Sequence, residues 1–145
     1  MRLESPAGLD VTVFEAVLAC GQVEARKVLA RQLAGFVADS EAPQAERDQV
    51  IPILLKMATD EDSGLRQVLA EELSTVPDLH ADLIFSIVSD EDRIAIPFLM
   101  SCAGLSGWHM LAILRVGDEA RQSAVARRID LTKEAKIYIV RSGGV

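Results

Sequence analysis

The sequence predicts an all-α chain built from short antiparallel helical hairpins, and three observations carry that expectation. Apolar residues recur at i, i+3 and i+4 along most of the chain, the period of a helix that buries one face. Half of the 145 residues are apolar but only 4% are aromatic, which suits closely packed helices better than a sandwich or barrel. An acidic phrase followed by an apolar stripe is also written more than once. It reads TDEDSGLRQVL at 59–69 and SDEDRIAIPFL at 89–99, with a fainter GDEARQSAV starting at Gly117.

Taken in order, residues 1–8 read as a flexible tail, and Leu9, Val13, Phe14, Val17 and Leu18 give a first helical stripe ending near Gly21. A second helix runs through Phe36, with Ala25, Val28, Leu29, Leu33 and Phe36 on one face and Arg26, Lys27 and Arg31 opposite. DSEAPQAE at 39–46 is a loop leading into a helix, with Asp39 or Ser40 as the cap and Pro43 near the first turn, where proline is tolerated. VIPILLKM at 50–57 is apolar nearly all round and is expected to be the most buried helix, kinked or started late by Pro52.

Thr59 then reads as a cap, with Asp60, Glu61 and Asp62 in a first turn where the helix dipole favours anions. Leu65, Val68, Leu69 and Leu73 follow as an inward stripe, and Pro77 breaks the chain before a return helix marked by Leu79, Leu83, Ile84, Ile87 and Val88. The second copy repeats the plan: Ser89 as cap, Asp90, Glu91 and Asp92 in the first turn, then Ile94, Ala95, Phe98 and Leu99. Pro97 is expected to bend this helix or delay its start. Leu105, Trp108, Leu111, Ala112 and Val116 give a further helical period, and Gly117 ends it. Asp118 and Glu119 open the third copy, with Ala120, Ala124, Val125 and Ile129 inward. A last helix runs from Leu131 and Thr132 through Ala135, Tyr138 and Ile139 to SGGV.

These elements amount to about nine helices, with the acidic phrase recurring every roughly 30 residues. An earlier echo, RKVLARQL at 26–33 against RQVLAEEL at 66–73, has a longer period of about 40 that suits HEAT or armadillo units. The expected architecture is therefore a short HEAT-like α-solenoid of antiparallel helical hairpins, each covering its neighbour's apolar face. Residues 9–145 form one domain of it. The chain stops in SGGV without a polar capping helix, so the expectation is the N-terminal fragment of a longer protein, against a natural end with a short tail.

The run from SDEDRIAIPFL to DEARQSAVARRIDLTKEAKIYIVRSGG resembles the bacterial, mainly alphaproteobacterial, domain of unknown function 2336 family. The resembling features are the acidic helix start, the apolar-Pro-apolar segment, Gln122, Ala126-Arg127-Arg128 and the closing Arg-Ser-Gly. EARKVLARQLAGF and GLRQVLAEEL extend the resemblance over nearly the whole chain. The resemblance implies a HEAT-like helical fold in the cytoplasm and no established activity, cofactor or functional residue.

The residues themselves offer little chemistry. The formal charge of −7 repels phosphates, which disfavours nucleic acid and anionic membranes as partners. No apolar stretch approaches the roughly 20 residues needed to span a bilayer, and MRLESPAG lacks the apolar core of a signal peptide. Cys20 and Cys102 have no metal or redox spacing and read as buried free thiols, and His80 and His109 have no ligand-spaced partners. GLSGW at 104–108 has the wrong spacing for a nucleophile elbow, and Gly143 and Gly144 read as a helix stop. No catalytic, metal or cofactor residue is nominated.

What remains is a row of basic residues at matching positions, Arg93 with Arg121 and Arg26 with Arg66, joined by Arg127 and Arg128. In a solenoid, matching positions line one surface, so Arg66, Arg93, Arg121, Arg127 and Arg128 are candidate contacts for a protein or peptide partner. The competing reading makes them salt bridges to the acidic turns. Trp108 joins the candidates as an anchor, although core packing is its expected role. The expected function is a cytoplasmic protein-interaction or scaffold module without catalysis. The alternative is a nucleic-acid binder resembling HEAT-like DNA-repair glycosylases.

Overall fold

Strong helical periodicity becomes nine helices among the described residues of the computed structural model, which are 4–5, 8–9 and 11–142. They are α1 (Val11–Ala19), α2 (Val23–Ala38), α3 (Gln44–Ala58), α4 (Ser63–Leu73), α5 (Ala81–Val88), α6 (Asp92–Ser101), α7 (Gly107–Val116), α8 (Glu119–Ala126) and α9 (Lys133–Arg141). The all-α class is as the sequence predicts. Part of the expected 1–8 tail and the closing Gly143–Val145 lie outside the described residues. Within that tail Glu4–Ser5 and Gly8–Leu9 pair antiparallel, so Leu9 belongs to this small ladder rather than to the first helix.

The helices pack in alternation. Each even helix lies against the next (α2 on α4, α4 on α6, α6 on α8), while α1 meets α3, α3 meets α5 and α7 meets α9. The apolar stripes face into these contacts: Leu29 and Leu33, Ile53 and Leu54, Leu65 and Leu69, Leu83 and Ile84, and Leu99 are all essentially inaccessible. Burying each such side chain contributes about 1.5–3 kcal/mol, which makes this continuous core the main source of stability. Gly21, between α1 and α2, has φ +74°, a left-handed conformation that glycine enters without a Cβ penalty.

The helix starts differ from expectation in a consistent way. Thr59 and Ser89 do not cap the helices that follow them. They close the preceding helices, Thr59 Oγ1 donating to the Leu55 and Lys56 carbonyls and Ser89 Oγ to the Phe85 carbonyl at 2.7 Å. The next helices begin later, at Ser63 behind the Asp62 cap and at Asp92 behind Glu91, so the acidic triplets sit mostly in the turns. Asp39 ends α2 and bonds the Glu41 amide within the loop, and α3 starts directly after Pro43.

Neither internal proline delays its helix. Pro52 lies in the middle of α3 and Pro97 in the middle of α6. Each removes one helical N–H, and the surrounding core, Val50 with Ile53 and Ala95 with Phe98, holds the helix through the gap.

In α7 the inward face is Met110, Ile113 and Leu114, leaving Trp108 and Val116 each 85% exposed. The expected 108–112–116 stripe is thus rotated around the helix. Ile129 lies beyond the end of α8 and is fully exposed, and Val28 in α2 is half exposed. Among the described residues, no helix is long and apolar enough to cross a membrane.

Candidate functional site

Three arginines of the predicted row bind the helices to the loops between them. Arg26 of α2 reaches Asp60, in the α3–α4 turn, at 3.0 Å. Arg66 of α4 donates Nε to Asp90 in the α5–α6 turn at 2.9 Å and Nη1 to the Asp60 carbonyl at 2.8 Å. Arg121 of α8 reaches back to the same α5–α6 turn, donating to the carbonyls of Val88 and Asp90 and to the carboxylates of Asp92 and its own cap, Asp118. The planar guanidinium suits this work, since its fixed fork of donors can serve several acceptors at once. The result is a set of charged clamps that hold successive turns in register.

Arg128 is a fourth clamp. It donates to the Leu99 and Cys102 carbonyls at 2.7 Å each, satisfying the end of α6, and its fork closes on Asp130. These contacts hold the Asp130 carboxyl below the usual carboxylate range, the Arg128 hydrogen bond being the main cause. The backbone N–H of Arg121 likewise lowers Asp118. Burial works against the charge of Arg121, and the hydrogen bonds to Asp92 and Asp118 outweigh it, holding the guanidinium above its ordinary pKa. Arg66, Arg121 and Arg128 therefore have their donors committed inside the protein.

Arg93 does not match Arg121 in place. It is the second residue after its cap, Glu91, whereas Arg121 is the third after Asp118 and Arg66 the fourth after Asp62. Arg93 bonds Glu91 and the Gln67 amide oxygen at the surface, the latter at 2.7 Å. There it flanks a shallow groove of about 140 Å³ between α4 and α6, floored by Ala70, Ile94, Pro97 and Phe98. The Arg127 side chain is exposed and makes no hydrogen bond or ion pair among the described residues. Trp108 is exposed as well, which overturns its expected place in the core.

The other sequence candidates resolve into structural roles. His109 accepts the Ser106 N–H through Nδ1 at 3.0 Å, forming a capping box at the start of α7, and its ring meets Phe85 edge-on at 5.7 Å. Burial lowers its pKa, a hydrogen bond with the Gly104 backbone opposing. His80 caps α5 by accepting the Asp82 N–H. Cys102 is buried and its thiol is pushed up by that burial, whereas Cys20 is exposed, contrary to expectation. Among the described residues no three His, Cys, Asp or Glu side chains gather as a metal site would require.

Charge is distributed unevenly along the chain, a feature that reading the net charge alone conceals. Residues 115–145 carry seven Lys and Arg against four Asp and Glu, while residues 1–114 carry eight against eighteen. Several exposed apolar side chains, Val116, Ile129, Ile137 and Val140, lie in the same basic segment, and Trp108 sits just ahead of it. No family model matches the chain, and neither does any curated protein or solved structure.

Proposed function

We propose that the protein is an interaction module: a HEAT-like solenoid of helical hairpins that presents a preformed surface to a protein or peptide partner and carries out no catalysis. The observation that carries this reading is Trp108, 85% exposed on a helix that buries Met110, Ile113 and Leu114 on its other side. Tryptophan is enriched among binding hot spots, where its large area is desolvated by a partner. The clamps support the reading, because a scaffold held in register presents its surface at little ordering cost. The resemblance to the domain of unknown function 2336 family supports a HEAT-like fold and a bacterial cytoplasmic setting. In this reading Arg93 and Arg127 orient the partner, while Arg66, Arg121 and Arg128 shape the scaffold.

The basic bias of residues 115–145 favours a second reading, in which the module binds nucleic acid. One experiment separates the two. The tagged protein and its Trp108→Ala variant are used to capture partners from bacterial lysate, with and without nuclease, and the bound material is identified by mass spectrometry. A discrete protein retained in both nuclease arms and lost with the variant supports the interaction module. Recovery that collapses after nuclease overturns it in favour of nucleic acid.

A further inference from the structure

Helix α9 has two unlike faces. Ala135 is buried, and Tyr138 and Ile139 pack half-buried against the core on the side that meets α7. Lys133, Lys136, Ile137, Val140 and Arg141 are all exposed, and their spacing of i, i+3, i+4, i+7 and i+8 places them on one outer face. Two apolar side chains are thus framed by three cations, none of which makes an ion pair among the described residues. Within α9, Glu134 is the one carboxylate, on the flank of this face. Gly107 lies against Thr132, the cap of α9, so the exposed Trp108 stands beside the start of the same helix.

Resting on the interaction-module reading, we infer that the outer face of α9 docks an acidic amphipathic helix. Each odd helix at the contacts α1–α3, α3–α5 and α7–α9 is covered by another helix, so a helix is the element this fold lays on such a face. The charge says which kind. A complementary helix carries Asp or Glu at the edges of a short apolar stripe that meets Ile137 and Val140. An extended anionic partner fits less well, because beyond this patch residues 1–114 hold eighteen acidic against eight basic residues and repel it. A short helix stays within the roughly 13.5 Å length of α9.

The test is fluorescence anisotropy with the full chain and a labelled, end-capped peptide of about 16 residues, long enough to be helical, in which only the central turns carry Leu at helical spacing flanked by Glu and the ends are uncharged and alanine-rich. Its counterpart carries Lys for every Glu. Parallel arms use a single-stranded oligonucleotide and vesicles containing phosphatidylglycerol. The acidic peptide is expected to bind at least about tenfold tighter than the basic one, weakening as salt rises. Lys136→Glu with Arg141→Glu is expected to remove at least about tenfold of that affinity, and Val140→Ser, the more exposed of the two apolar positions, to weaken it as well, with the cooperative thermal transition retained in both. Equal binding of the two peptides, or unaltered binding by the charge-reversed variant, overturns the inference. So does tighter binding of the oligonucleotide or the vesicles. A protein captured from lysate equally by the wild type and the Lys136→Glu, Arg141→Glu variant leaves the interaction module standing and removes α9 as its docking face.

Discussion

Arg121→Ala tests whether the arginine row is a clamp or a free binding surface. The side chain is only 13% exposed, and its carboxylate partners Asp92 and Asp118 are 66% and 59% exposed. Those two ion pairs therefore contribute little after solvent screening. The larger loss is at the carbonyls of Val88 and Asp90, which accept from a charged donor in a half-buried turn. Truncation leaves both without that donor, at a cost of about 1–1.5 kcal/mol apiece. The total comes to about 3 kcal/mol, which for a chain of this size lowers Tm by roughly 10 °C. Arg93, 53% exposed and bonded to Glu91 and Gln67 at the surface, supplies the control. Its alanine variant is expected to cost under about 0.5 kcal/mol. Urea unfolding followed by circular dichroism measures both variants. If they lose the same small amount, the clamp reasoning is wrong and Arg121 is as free as Arg93.

Two further outcomes follow from the α6–α7 connection. A Cβ at Gly104 would lie 2.7 Å from the Val76 carbonyl and 3.0 Å from Leu79 Cβ, while the neighbouring Ala103 N–H donates to the Ser74 carbonyl at 2.7 Å. Gly104→Ala is therefore expected to destabilise by about 1–3 kcal/mol in thermal or chemical unfolding, because backbone must separate to admit the methyl group. The second outcome concerns acidification. Burial lowers the pKa of His109 in the folded state, so its neutral form contributes stability that is complete above the unfolded value of about 6.5 and is lost as pH falls through the folded one. Protonation of Nδ1 would also cost the bond from the Ser106 N–H. Melting between pH 7.5 and 5 should show a decline that His109→Asn flattens. An unchanged slope in the variant would place the decline elsewhere.

The helices were legible because their apolar period is strong and long, as in Leu65, Leu69 and Leu73 or Ile94, Phe98 and Leu99, all buried as expected. Their starts were less legible because each turn offers several residues able to cap. In TDEDS the threonine, either aspartate and the serine all carry a suitable oxygen, and only the geometry of the preceding helix end assigns Thr59 backward and Asp62 forward. The face of α7 was misread for a related reason. Met110 through Leu114 are all apolar, so periodicity alone does not choose among the possible rotations. Packing makes that choice, and it leaves Trp108 outside.

The arginines show where sequence reasoning about a surface meets its physical boundary. Equal spacing to an acidic residue does not make two arginines equivalent, because the reach of each is set by the turn packed against its own helix. Arg121 ties α8 to the α5–α6 turn, whereas Arg93, at the same spacing from its acidic residue, faces solvent. The same clamps explain why a chain with net charge −7 keeps so many arginines at its turns: each neutralises carbonyl ends and carboxylates that would otherwise crowd together. The cations left over are then the informative ones. In α9 they frame exposed Ile137 and Val140 without an ion pair among the described residues, so the helix meets its own fold with one face and leaves the other as the docking face we propose for an acidic helix.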